Sequence, residues 1–143
     1  MTALSKERNT AARIGESRVD PLAASVKVFA GALVMRNAAG HVTKGATATG
    51  CIGVGRAAFT VDNSSGAAEA ETLEYRTGIF GYANLAADLV TQAEVGKLCY
   101  IADDQTVAKT HGGNTRSPAG YVDGIEGGTV WVRLDEAVTR GGL

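Results

Sequence analysis

The sequence carries no excess of charge of either sign, because 14 Lys and Arg are balanced by 15 Asp and Glu for a net charge of −1. A protein that neutralises phosphates needs a basic excess or a basic face, so the charge balance argues against a nucleic-acid partner. No apolar run approaches the ~18 residues of a membrane span, and the first residues lack the apolar core of a signal peptide. We therefore expect no membrane partner and a protein that is made in the cytoplasm.

Cysteine and histidine are also scarce, with two of each. Cys51 and Cys99 lie in apolar, strand-like segments without a CxxC pattern, so we expect two buried free thiols, with a disulfide between them as the alternative. His41 and His111 are far apart and lack the spacing of metal ligands, which predicts no metal and no cofactor. Nothing in the sequence pairs either histidine with a nucleophile and a carboxylate. We therefore expect no catalytic residues and no enzymatic activity.

Long helical patterns are absent as well. Residues 26–134 contain about eight or nine short apolar segments, with turn signals roughly every 8–12 residues. Residues 91–94 (TQAE) form a capping box, but Gly96 follows at once, so we expect one helical turn there at most. The pattern predicts an all-β fold, either an antiparallel β sandwich of jelly-roll-like type or a small barrel.

The chain divides into three segments on composition. Residues 1–25 are predicted to be an extended N-terminal arm, residues 26–135 a β domain, and residues 136–143 a short C-terminal tail. Residues 72–84 alternate as one strand, with Tyr75 and Ile79 on one face and Phe80 and Tyr82 on the other, where we expect a cover. Residues 51–61 begin with a continuous apolar run, which predicts burial on both faces. Since aromatics make up only 6% of the chain, we expect a core of Val, Ile, Leu and Ala.

The N-terminal arm has two interpretations. It could be a frayed, disordered terminus, but it also carries spaced apolar side chains among charges that could pair with a partner. Extended, it would reach about 80 Å at ~3.3 Å per residue, enough to cross a neighbouring subunit. Six of its residues are our candidates for partner binding: Leu4, Arg8, Arg13, Ile14, Arg18 and Val19.

Seven stretches, taken in order, carry a resemblance: residues 7–10 (ERNT), 28–34 (VFAGALV), 61–67 (VDNSSGA), 82–84 (YAN), 96–107 (GKLCYIADDQTV), 116–120 (RSPAG) and 130–134 (VWVRL). As an ordered set they resemble small structural proteins of tailed bacteriophages. These are the capsid cement or decoration proteins that stabilise phage heads. No single stretch is diagnostic, because each is a strand or turn pattern, and the resemblance lies in the ordered set.

The resemblance implies a virion protein on the outer surface of the phage head. Its partners would be the major capsid protein and other copies of itself, as a dimer or trimer at capsomer junctions. Extended arms would tie these copies to the capsid. The alternative from another class is a carbohydrate-binding β sandwich for host-surface attachment, with Trp131 and Tyr121 as the stacking platform.

Overall fold

The fold is that of a computed structural model, which covers residues 2–11, 13 and 16–143 in describable detail. These residues form mainly short strands, together with a single turn of 3-10 helix at Ala86–Asp88, another at Gln92–Glu94, and a C-terminal helix α1 (Glu136–Gly141). The strands in chain order are β1 (Ser17–Pro21), β2 (Val26–Val28), β3 (Leu33–Arg36), β4 (Val42–Lys44), β5 (Ile52–Ala57), β6 (Val61–Asn63), β7 (Thr72–Arg76), β8 (Gly78–Asn84), β9 (Leu98–Ile101), β10 (Thr106–Ala108), β11 (Pro118–Glu126) and β12 (Thr129–Leu134).

The strands form a five-stranded sheet and a small closed barrel. The sheet has the order β1-β7-β5-β3-β4, and all its pairs are antiparallel. The barrel has the order β10-β8-β12-β11-β9 and closes through a β9–β10 pair, with one parallel pair between β10 and β8. Strands β2 and β6 form a separate two-stranded sheet. The predicted all-β class is therefore confirmed.

The two larger sheets each enclose a hydrophobic core, and β3 contributes to both. Leu33 and Met35 pack into the barrel core, whereas Val34, on the opposite face of the strand, packs into the core of the five-stranded sheet. The first four residues of β5 are all buried, as the apolar run predicted. Aliphatic residues dominate both cores, with Tyr75 and Tyr82 as buried aromatics.

A close crossing of β5 over β11 joins the two halves. A Cβ added at Gly53 would lie 2.2 Å from the carbonyl oxygen of Ala119 in β11. Within the barrel, a Cβ added at Gly120 of β11 would lie 2.1 Å from the carbonyl oxygen of Arg133 in β12. No side chain fits between backbones at these distances, so glycine allows the contact.

The predicted strand at residues 72–84 is wrong as a single element. The chain breaks between β7 and β8, where Gly78 adopts a φ of +147° that L side chains rarely adopt. Tyr75 of β7 then points into one core, whereas Tyr82 of β8 points into the other. Ile79, predicted to share a face with Tyr75, is exposed. The predicted cover over Phe80 and Tyr82 is present, since both pack against the barrel core.

The predicted boundaries of the domain need correction at both ends. Residues 17–21, assigned to the N-terminal arm, form strand β1 and pair with β7, and Leu22 is 0% exposed in the sheet core. A polar edge strand shows little hydrophobic patterning, which explains the error. Residues 136–143, assigned to a tail, contain helix α1, and its N-cap Asp135 accepts a hydrogen bond from the Val138 N–H at 3.2 Å.

Candidate docking surfaces

Residues 2–13, which we call the outer segment, precede strand β1 in the chain. All the described residues of this segment are exposed, and Leu4 retains 75% of its accessible surface. The backbone hydrogen bond here is local, with the Thr10 N–H donating to the Arg8 carbonyl at 3.0 Å. Among residues 2–11 and 13, no hydrogen bond or ion pair reaches the β body. Removing the outer segment should therefore leave the body intact.

The six candidate partner-binding residues do not form one cluster. Leu4, Arg8 and Arg13 lie on the outer segment, and Ile14 lies outside the described residues. Arg18 and Val19 belong to β1, where successive side chains point to opposite faces. Arg18 lines a small pocket of about 130 Å³ beside Tyr75, whereas Val19 is 58% exposed.

Strand β1 is held in place by an ionic network centred on Arg36 of β3. The Arg36 side chain is 16% exposed. Its Nη2 donates to Asp20 Oδ2 and to the Tyr75 hydroxyl, each at 3.1 Å. Its Nε donates to both carboxylate oxygens of Glu136 at 3.1–3.2 Å, and its Nη1 donates to the Gly40 carbonyl at 3.0 Å. One guanidinium thus joins β1, β7, a turn and helix α1.

The protonation of the network follows from these contacts. Burial alone would raise the pKa of Asp20, but the hydrogen bonds from Tyr75 and Arg36 hold it below its usual value. Burial would likewise raise the pKa of Glu136, but the hydrogen bonds from Arg36 and Arg140 lower it below its usual value. Burial, together with the hydrogen bond to Asp20, raises the pKa of Tyr75 to about 12. At neutral pH the carboxylates of Asp20 and Glu136 are therefore ionised, whereas Tyr75 keeps its proton.

Sequence reasoning missed this network. Its members lie 16, 39 and 100 residues from Arg36, and only the folded sheet brings them together. No local spacing in the sequence indicates such a set. Glu136 lies in the segment predicted to be a tail, but its side chain is only 25% exposed beside Arg36.

The outer wall of the barrel carries a groove of about 580 Å³. It lies over β9 and β11, and the loop at residues 110–116 forms one side. Asp88 holds this loop, because its Oδ2 accepts hydrogen bonds from Thr110 Oγ1 at 2.6 Å and from Arg116 Nη1 at 2.9 Å. We name this depression the barrel groove and define it by six of its lining residues: Glu94, Lys97, Tyr100, Lys109, His111 and Tyr121.

The proposed stacking platform of Trp131 and Tyr121 is divided between two depressions. Tyr121 lines the barrel groove. Trp131 is 37% exposed and lines a different hollow beside Gly124 and Ile125. Its ring lies over Gly81 of the adjacent strand, within about 3.6 Å of where a Cβ would stand. The two rings of the proposed platform thus line separate depressions.

A further exposed apolar feature lies at the β2–β6 end of the body. Phe29 and Phe59 are both exposed, and their loops are joined by a hydrogen bond from Ala30 N–H to Thr60 Oγ1 at 3.0 Å. The ammonium of Lys27 stands 5.0 Å from the centre of the Phe29 ring.

The cysteines and histidines were expected to have no catalytic or metal-binding role, and the structure places them as follows. Cys51 and Cys99 are free thiols, as predicted, although only Cys99 is fully buried. His41 Nε2 lies 3.4 Å from an exposed carboxylate, Glu69 Oε1. Within the described ranges, no group of three or more His, Cys, Asp or Glu side chains could hold a metal ion. Among the same residues, no helix is long and apolar enough to cross a membrane.

Comparison with known proteins identifies no relative. No family model, no curated protein sequence and no solved structure matches the chain.

Proposed function

We propose that this protein is a structural component of a phage virion that binds the outside of the assembled capsid at capsomer junctions and stabilises it. The observation that carries the proposal is the outer segment, whose described residues are all exposed and which precedes a strand paired in the body. The resemblance to head-stabilising decoration proteins points to the same function. The major capsid protein would be its partner, together with further copies of itself as a dimer or trimer.

The physical basis is selective binding. A protein that binds the assembled lattice, and not its dissociated subunits, stabilises the lattice by mass action. Contacts repeated over many sites add through avidity. The body suits this function because β1 is held by the Arg36 network and by pairing with β7. A force on the outer segment is therefore transmitted to the sheet.

A pair of deletions tests the function and separates it from folding. Deleting residues 2–13 removes the outer segment but leaves β1, and it should lower occupancy on phage heads prepared without this protein by more than tenfold. The melting temperature should stay within about 2 °C, because the removed residues that the structure describes make no hydrogen bond or ion pair with the body. Deleting residues 2–20 instead removes most of β1 and should destabilise the protein itself.

Substitutions provide the matched control. Replacing Arg8 and Arg13 with Ala should weaken co-sedimentation with heads, whereas Arg76→Ala, an exposed arginine of β7, should not. Unchanged head occupancy after deletion of residues 2–13 would contradict the proposal. Sedimentation velocity of the free protein tests self-association, and a dimer or trimer is expected.

A further inference from the structure

The barrel groove combines aromatic rings, free cations and hydrogen-bond donors in a way that the proposed capsid function does not require. It lies on the outer wall of the barrel, where its residues come from β9, β11 and the loops beside them. A volume of about 580 Å³ falls within the usual size of small-molecule sites. Its lining chemistry indicates what it would bind.

Two tyrosines form one wall of the groove. Tyr121 pairs with Leu98 across the β9–β11 ladder, so it shares the outer face with Leu98 and with Tyr100 two residues further along. Diagonal neighbours of this kind lie about 7–8 Å apart, a spacing that one sugar ring can bridge. The Tyr121 hydroxyl lies beside Gly142, where an added Cβ would fall 1.7 Å from it, so this ring lies against the end of α1.

His111 supplies a hydrogen-bond donor at the other side. Its ring meets Tyr100 edge to face, with centroids 5.9 Å apart at an interplanar angle of 90°. Its Nδ1 accepts a hydrogen bond from the Asn114 N–H at 2.9 Å. The neutral imidazole therefore carries its proton on Nε2, which makes that nitrogen a donor.

The charges of the groove sum to about one positive unit. Glu94 Oε1 accepts hydrogen bonds from Thr91 N–H at 2.8 Å and Oγ1 at 2.7 Å, which fixes the carboxylate in the capping box. These bonds lower the pKa of Glu94, and the nearby charges of Lys109 and Lys97 lower it further. Neither lysine forms an ion pair within the part of the chain that the structure describes. Two exposed ammonium groups and one carboxylate leave one cation unbalanced.

From this arrangement we propose that the barrel groove binds an acidic saccharide, a short chain of uronic-acid type with one carboxylate per sugar. The apolar face of a sugar stacks on a tyrosine ring, while its hydroxyls accept from the Nε2 of His111 and from tyrosine hydroxyls. Its carboxylate pairs with the lysines through charge-assisted hydrogen bonds. The proposal is independent of capsid binding and does not use Trp131.

The test is titration of the full chain with α-1,4-linked trigalacturonate, followed by calorimetry and by ligand-observed NMR at low salt. The methyl-esterified trimer has the same shape without the charge, and it should bind at least tenfold more weakly, equivalent to about 1.4 kcal/mol. The double variant K97A/K109A should lose about the same factor for the acidic trimer and should bind the ester like the wild type. Raising the salt should weaken only the acidic trimer.

The aromatic variants complete the design. Tyr100→Ala should abolish binding of both trimers, whereas Tyr100→Phe, which keeps the ring, should stay within about threefold. Trp131→Ala and Lys44→Ala, an exposed aromatic and an exposed lysine outside the groove, should leave affinity within twofold. Circular dichroism and melting temperature establish that each variant is folded. Absence of binding at 10 mM trigalacturonate, equal affinity for acid and ester, equal affinity for uridine monophosphate, or an equal loss in Trp131→Ala would overturn the proposal.

Discussion

Replacing Arg36 with Met tests how the protein anchors its N-terminal strand. Met keeps most of the apolar stem but removes the guanidinium, so Asp20 and Glu136 lose their common cation while they stay partly buried. The Tyr75 hydroxyl also loses a hydrogen bond from Nη2. The variant thus separates the charge and hydrogen bonds of the network from the packing of the side chain.

The loss in the free energy of unfolding caused by Arg36→Met should lie between two limits. Breaking a fully buried ion pair costs about 3–5 kcal/mol, whereas exposed pairs contribute about 0–1 kcal/mol. The Arg36 side chain is 16% exposed and makes five hydrogen bonds to four residues, so it stands nearer the buried limit. We expect a loss of about 3 kcal/mol in the free energy of unfolding, or ~10 °C in melting temperature. Urea denaturation at pH 7 measures the first quantity and calorimetry the second.

Arg140→Met is the matched control, because Arg140 binds the same carboxylate from the solvent side. Its Nη2 lies 2.8 Å from Glu136 Oε2, but its side chain is 53% exposed and the pair is of the i,i+4 type. Such helical pairs contribute about 0.3–0.5 kcal/mol. A cost for Arg140→Met equal to that for Arg36→Met would show that partial burial is not what makes the Arg36 contacts strong.

The pH dependence gives an independent check of the same network. The pKa values of Asp20 and Glu136 lie below their ordinary values of 3.8 and 4.5. Between the folded and unfolded pKa values, the unfolded chain binds more protons, so acid favours unfolding. The stabilisation is complete above about pH 5 and is lost as the pH falls through the folded pKa values. The difference in the free energy of unfolding between the wild type and Arg36→Met should therefore be smaller at pH 3 than at pH 7. A gap under 1 kcal/mol at pH 7, or one that is unchanged at pH 3, would refute this reasoning.

Three further predictions concern the two cores. Gly53→Ala should destabilise the protein by about 3 kcal/mol in urea titrations, because its Cβ would overlap a β11 carbonyl. As the control, Gly124→Ala, with open space around the new Cβ, should destabilise it by less than about 1 kcal/mol. Tyr82→Phe should stabilise the fold by roughly 1 kcal/mol, since the Tyr82 hydroxyl is buried without a hydrogen-bond partner among the described residues, and a loss of stability would contradict this. Burial raises the pKa of Cys99 to about 12, so Ellman's reagent should modify Cys51 first, and rapid reaction of both thiols in the native protein would contradict the burial of Cys99.

The sequence predicts the fold class because its strands carry local signals. Turn residues at regular spacing, apolar segments of strand length and the capping box at Thr91 each act within a few residues. The β5 run also predicts burial on both faces, and it lies between the two cores. These features depend on neighbours along the chain, which a sequence displays directly.

The errors arise where long-range pairing overrides local pattern. β1 is polar and mostly exposed, so only its partner β7 and the bonds of Asp20 to Arg36 and Tyr75 identify it as a strand. The break at Gly78 separates two strands that alternate without interruption in sequence, and each then faces a different core. The barrel groove was missed for the same reason, since Tyr100 and Tyr121 meet only when β9 and β11 pair.

In the proposed capsid function, side-chain contacts alone would not offset the conformational entropy that the outer segment loses when it becomes ordered on the capsid. Ordering about 12 residues costs roughly 12–24 kcal/mol at ~1–2 kcal/mol each. Burying Leu4 completely would return about 2–3 kcal/mol, and each exposed salt bridge of Arg8 or Arg13 at most about 1 kcal/mol. The remainder must come from backbone hydrogen bonds and from many repeated sites. Binding of one isolated copy to one capsid protein should therefore be weak, whereas occupancy on intact heads should be high.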